Sequence, residues 1–141
     1  MCASMPSIGA ESHVSVHVAV AVIVDDRRQV LLTQRHPDSH QGGLWEFPGG
    51  KLEADESLAD ALRRELQEEL GIDVQSHQPL LVIEYDYGDK RVLLDVHRVD
   101  AFSGVPVARE GQPMRWVPVS ELNEYAFPAA NKPIVERLQE D

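Results

Sequence analysis

The chain has 141 residues, enough for one domain with a real core, and its 43% hydrophobic and 26% charged content is ordinary for a soluble globular protein. The formal net charge of −11 argues against a general binder of nucleic-acid polymers, which carries a basic face. No run of about 20 apolar residues is present, so no membrane span is expected, and the single cysteine, Cys2, fits a reducing cytoplasm.

Residues 1–12 lack a basic start and an apolar stretch, and read as a short flexible tail before a single domain at 13–141. Val14, Val16, Val18, Val20, Val22 and Val24 alternate with period two and predict a strand. Ala19, Ala21 and Ile23 make its second face apolar as well, so it should be central and covered on both sides. Asp25-Asp26-Arg27-Arg28 is a polar turn, and residues 29–34 predict a second strand paired with the first. Residues 36–44 form a polar loop, and Phe47-Pro48-Gly49-Gly50 breaks regular structure again.

Ser57 is a good N-cap with Asp60 as its capping-box partner, and Gly71 ends the helix they start. Residues 80–87 and 91–99 predict a hairpin around Gly88-Asp89. Residues 114–119 predict a further strand. Ile134, Val135 and Leu138 predict a closing helix with Pro133 in its first turn. Strands and helices mix without strict alternation, which predicts an α+β fold with a mixed sheet flanked by helices.

The first helix has an uneconomical arrangement. With about 100° per residue and Leu58 at zero, Leu62, Leu66 and Leu70 fall at about 40°, 80° and 120°, the core stripe. Glu69 falls at about 20°, inside that stripe, with Glu65 at about −20° and Glu68 at about −80° on its flank. Like charges at this spacing destabilise a helix, and partly burying them costs more. A helix that only packs would turn these acids outward. A divalent cation offsets both penalties, and oxygen ligands suit magnesium or manganese. It would also let so acidic a chain hold a phosphate substrate.

Gly50, five residues, Glu56, seven residues, then Arg64-Glu65-Leu66-Gln67-Glu68-Glu69-Leu70-Gly71-Ile72 matches every fixed position of the Nudix box. The chain therefore resembles the Nudix hydrolases, which split a nucleoside diphosphate linked to another group. The resemblance implies a Nudix fold, a mixed β-sheet between α-helices with a loop–helix–loop metal site. It implies Mg2+, with Mn2+ able to substitute, and water attack on phosphorus. Glu65, Glu68 and Glu69 would hold metal with a carbonyl of Gly49 or Gly50, and Glu110 would join them. One of these carboxylates, or Glu110, would take the proton of the attacking water; Glu65, Glu68 and Glu110 are the candidates. Arg64 and Glu56 would form an ion pair that fixes the loop.

Leu44-Trp45-Glu46-Phe47-Pro48-Gly49-Gly50-Lys51, Glu110-Gly111-Gln112-Pro113 and Phe127-Pro128-Ala129-Ala130-Asn131 are similar to the MutT branch of that family, together with Gln34-Arg35 and His40. That branch hydrolyses 8-oxo-dGTP to the monophosphate and pyrophosphate, a cytoplasmic activity that keeps the damaged base out of DNA. The implied nucleotide pocket contains Arg35, His40, Glu46, Phe47, Pro48, Gly49 and Asn131. The substrate is a small nucleotide, with neither a nucleic-acid polymer nor a membrane as partner.

Asn131 also has a physical case. An Asn amide places an acceptor beside a donor. It can accept from N7–H of 8-oxoguanine and donate to O6, whereas normal guanine offers a lone pair at N7. The plainer role for Asn131 is a helix cap beside Pro133. Tyr85 and Tyr87 are either pocket aromatics or strand packing, and Trp45 and Trp116 read as core. His13, His17, His77 and His97 lack metal-ligand spacing. Another Nudix activity, such as a CTP or dCTP pyrophosphatase, would share the helix and differ in the pocket. A non-catalytic binding module would be expected to lose box glutamates, and all are present.

Overall fold

The structure is a computed structural model that describes residues 14–38 and 42–140. The expected tail at 1–12 and His40 lie outside the described residues.

Strand β1 (Val14–Ile23) is central, as its two apolar faces require. Ala19, Val20, Ala21, Val22 and Ile23 are all buried. Strands β2 (Gln29–Gln34), β3 (Trp45–Glu46) and β4 (Gly49–Lys51) follow, then helix α1 (Leu58–Leu70). Strands β5 (Asp73–Asp86), β6 (Lys90–Ser103) and β7 (Met114–Pro118) lead to helix α2 (Lys132–Gln139).

The expected mixed sheet has the order β4-β1-β6-β5, with β1 and β6 parallel. A second, antiparallel sheet has the order β3-β2-β7. The expected pairing of β2 with β1 is therefore corrected. Both edges of β1 are occupied, by β4 and β6, and only a Val24–Val30 bridge joins the two segments. The hairpin β5–β6 is longer than its apolar pattern. Register shifts between Val74 and Ser76, Ser76 and His77, and Pro79 and Leu81 break the period of two in its first half.

The two faces of β1 build two cores. Ala19, Ala21 and Ile23 pack with Leu62, Leu66 and Leu70 of α1. Val20 and Val22 pack with Ile134, Val135 and Leu138 of α2. The sheet is thus sandwiched between the helices. Each fully buried leucine of α1 contributes about 1.5–3 kcal/mol, enough to hold the helix in place while it carries a poorly placed acid.

Candidate active site

Helix α1 is framed as its sequence demands. Ser57 Oγ accepts from the Asp60 N–H at 3.1 Å, and Gly71 takes a left-handed φ of 72° while its N–H donates to the Gln67 carbonyl. Between these caps the burial of the three acids follows their angular positions. Glu69 is 9% exposed. The Glu65 side chain is 16% exposed and that of Glu68 is 54% exposed.

Arg64 holds the preceding loop. Its guanidinium donates to Glu56 at 2.7 and 2.9 Å, to the Lys51 carbonyl at 3.0 Å, to Glu65 at 3.0 Å and to Glu68 at 3.3 Å. The hydrogen bond from Arg64, followed by one from the Glu53 N–H, lowers the Glu56 carboxyl to about 2.

The β4 glycines bring the loop against the acids. Gly49 has φ 148°, and a Cβ there would collide with the Ala19 carbonyl. Its N–H donates to Glu69 Oε2 at 3.3 Å. A Cβ on Gly50 would stand on the Glu65 carboxylate. Glu69 is hydrogen-bonded to Glu65. Burial first, then Glu65, and then the charges of Glu46 and Glu110, push its carboxyl up to about 9.

Two hollows meet here. An acidic chamber of about 320 Å³ is lined by Glu65, Glu69, Glu110, Gly49, Arg35 and Glu46. An adjoining chamber of about 300 Å³ includes Val18, Phe47, Tyr87, Leu94, Pro128 and Asn131. Arg35, Glu46 and Gly49 line both. Arg35 donates to Glu46 at 2.8 Å, and burial outweighs this partner to raise the Glu46 carboxyl. A larger hollow of about 540 Å³ beside Arg27, Arg28 and Gln139 is lined by neither a carboxylate nor an aromatic ring. Its chemistry gives no reason to place a reaction there.

Most of the expected residues therefore converge, with two placed elsewhere. The Glu68 carboxylate pairs with Arg64, outside the acidic chamber. Pro48 is buried behind the wall, where its carbonyl accepts from the Ala21 N–H at 2.8 Å and ties the loop to β1. Phe47 is both core and wall, 4% exposed and stacked on Phe127 at 5.5 Å. Asn131 stands at the start of α2 but makes no side-chain cap hydrogen bond, which removes its plainer role. The two tyrosines divide: Tyr85 packs on the core, and Tyr87 lines the second chamber.

Tyr87, one of the two candidate aromatics, and Lys90, which had no role from sequence, reach the second chamber from the β5–β6 hairpin, where only strand length and register put them. Gln112, which the sequence placed only in the segment after Glu110, lines the acidic side. Three histidines without an expected role, His17, His77 and His97, form a chain on the sheet. Asp95 lies 3.1 Å from His17 Nε2 and 3.4 Å from His97 Nε2, and the Nδ1 atoms of His97 and His77 are 2.9 Å apart.

Among the described residues no three His, Cys, Asp or Glu side chains stand together in an arrangement that could hold a metal ion. The donors nevertheless fit a hard divalent cation. Two carboxylates share a hydrogen bond in a half-dry cleft, a third lies nearby, and one of them is forced to keep a proton above neutral pH. Positive charge between them removes that conflict.

The family model for the NUDIX domain matches residues 19–137. The chain belongs to the Nudix family. Among its Nudix relatives, an 8-oxo-dGTP diphosphatase of Escherichia coli (strain K12) is 36% identical over 124 residues, 88% of this chain and 96% of that one. A CTP pyrophosphohydrolase of the same organism is 38% identical over 117 residues, 83% and 87% of the two chains. A solved structure from work on MutT of Aliivibrio salmonicida and Vibrio cholerae superimposes with a TM-score of 0.79 at 39% identity. It covers 88% of this chain and 96% of that one. The Nudix fold is thus shared along nearly the whole domain. No helix of the described residues is long and apolar enough to cross a membrane.

Proposed function

We propose that this Nudix protein hydrolyses an oxidised purine nucleoside triphosphate, 8-oxo-dGTP foremost, to the monophosphate and pyrophosphate. The observation that carries this reading is the shared wall. A chamber of nucleoside size with aromatic lining opens through Arg35, Glu46 and Gly49 onto a chamber of carboxylates. A base held in the first delivers its phosphate chain to the second.

Glu65 and Glu69 would hold a divalent cation, Mg2+ by preference, with Glu68 swinging from Arg64 to join them and Gly49 or Gly50 offering a carbonyl. Such an ion, when bound, neutralises phosphate charge and polarises the phosphoryl oxygens. The chain's own groups do the rest. Arg35 presents a guanidinium between the chambers, suited to a phosphate oxygen. Glu110 or a box glutamate accepts the proton of the attacking water. Arg64 and Glu56 keep the loop from moving while charge develops. His40 would be a further member of the nucleotide pocket, and Pro48 would shape that pocket from behind by tying its loop to β1. Asn131 faces the base, accepting from N7–H and donating to O6, and Glu46, its carboxyl raised by burial, is a further partner for the base edge.

The proposal includes a single domain at residues 13–141, a tail at residues 1–12 and action in the cytoplasm. The CTP pyrophosphohydrolase relative favours a second reading, a pyrimidine nucleotide in the same chamber. A nucleotide panel with Mg2+, scored for monophosphate and pyrophosphate, separates the two. Turnover of 8-oxo-dGTP should far exceed that of dGTP, CTP and dCTP. A strong preference for CTP or dCTP would overturn the base assignment and leave the phosphate chemistry standing.

A further inference from the structure

We infer that Arg109 is a positioning residue for Glu110, clamping the loop that carries this carboxylate onto the C-terminus of α1. The last turn of α1 contains Glu68 and Glu69 and no basic residue, so nothing on the helix itself answers the negative end of its dipole. Arg109 answers it from 42 residues beyond Gln67: its Nη1 donates to the Gln67 carbonyl at 3.1 Å. Its backbone N–H donates to the Glu69 carbonyl at 2.9 Å, and the Val107 N–H donates to the Leu70 carbonyl at 3.0 Å. Three hydrogen bonds from two loop residues, Val107 and Arg109, thus fill the helix end.

The fit depends on Gly71. Arg109 Cδ lies 3.0 Å from the point where a Cβ on Gly71 would stand, so the residue that ends the helix also admits the clamp. Past Arg109 the chain turns at once. The Gly111 N–H donates to the Ala108 carbonyl at 3.1 Å, with Gly111 at φ 78°. Gln112 is then buried, and the Pro113 carbonyl accepts from the Gln34 N–H at 3.0 Å. Glu110 is held between two anchors and faces Glu65 and Glu69 in the acidic chamber. A group placed to within an ångström loses up to about 10²-fold in rate when its support slackens. Arg109 has this role only if Glu110 serves the reaction as proposed above.

The test is a double-mutant cycle with Arg109→Ala, Glu110→Gln and their combination, beside Arg109→Lys. The readouts are kcat, KM, the unfolding midpoint and amide exchange at residues 107–111. Arg109→Ala should lower kcat roughly 10- to 100-fold with KM nearly unchanged, and speed exchange in the loop. In the Glu110→Gln background it should cost nothing further, since the group it positions is gone. Lysine, which keeps a donor and a charge, should restore part of kcat and of the protection. Equal fractional losses in both backgrounds would overturn the clamp, as would a normal kcat in Arg109→Ala. Full turnover in Glu110→Gln would instead remove the role of Glu110 itself, and the positioning role would fall with it.

Discussion

The Gly49 N–H donates to the Glu69 carboxylate at 3.3 Å, across the join between the loop strand and the helix. This contact fixes a group that the core would otherwise reject. Glu69 sits among leucines, 9% exposed, with its carboxyl pushed up to about 9. In the metal-free protein the folded state therefore holds this proton more tightly than the unfolded chain does. Its contribution to stability is present below about pH 4.5 and is lost as pH rises toward 9.

Replacing Glu69 with Gln removes both the titration and the ligand. Turnover should fall by about 10²-fold or more, the scale for loss of one preorganised charged group. The metal-free unfolding midpoint at pH 8–9 should be at least that of the parent (a pH range set by the raised carboxyl, about 9). The upward shift of that midpoint on adding Mg2+ should shrink. Parental turnover in the variant would end the case for a metal site here.

Adjacent glycines should fail in different ways. Gly49→Ala puts a Cβ against the backbone carbonyl of Ala19 at φ 148°, where nothing can yield. It should destabilise the fold by about 1–3 kcal/mol, read as a lowered denaturation midpoint. Gly50→Ala puts its Cβ on the Glu65 side chain instead. There the carboxylate can move, so the fold should survive and kcat should drop roughly 10- to 100-fold. A Gly50→Ala protein with normal kcat would show that the position of Glu65 is unimportant.

These contrasts mark what could be read from the chain alone. The carboxylate helix was legible because burial in a helix follows angle. Leu58, Leu62, Leu66 and Leu70, four residues apart, set the stripe, and Glu69 fell inside it. The double-faced alternation of β1 was legible for the same reason, since period two needs no partner to be recognised. The pairing of β2 was misread because sequence proximity suggests a neighbour, whereas the edges of β1 go to Gly49–Lys51 and to Lys90–Ser103. Those pairings are non-local. Tyr87 and Lys90 reach the second chamber through the same non-local register, and Tyr85 could not be told from Tyr87 until β5 had a length. The bulges at Ser76 and near Pro79 hid the first half of β5 from any periodicity.

The acid side of the stability profile should show two steps. His77 is held below its ordinary value by burial first, then by His97 and Arg63. The unfolded chain therefore takes up that proton first, and stability falls as pH drops through about 6.5. Asp100 opposes this and Asp95 balances the chain of imidazoles, so the step should be small. Glu56, lowered to about 2, contributes stability above about 4.5 that is lost as pH falls toward 2. Denaturation midpoints measured from pH 8 to pH 2 should fall in both windows. His77→Gln should flatten the first and Glu56→Gln the second. A profile unchanged in its lower window by Glu56→Gln would mean that the Arg64 pair is equally formed in the unfolded chain.

Asn131 gives the test of base recognition. It stands where α2 begins but leaves the capping bond unmade, and it lines the chamber that Phe47 and Pro128 help to wall. A pocket amide that matches the donor at N7 of 8-oxoguanine meets an acceptor in guanine, and polar groups left unmatched in a closed pocket separate such substrates by up to about 10⁴-fold. Asn131→Ala removes both sides of the comparison at once. Turnover of 8-oxo-dGTP should collapse toward that of dGTP, with dGTP itself little changed and the unfolding free energy within about 1 kcal/mol of the parent because no cap is lost. Asn131→Asp makes the contrast sharper. The carboxylate still accepts from N7–H but repels O6, so discrimination should fall while part of it survives. An unchanged ratio of kcat/KM values in Asn131→Ala, together with a lowered midpoint, would return the residue to the helix and move base recognition to the Arg35–Glu46 wall.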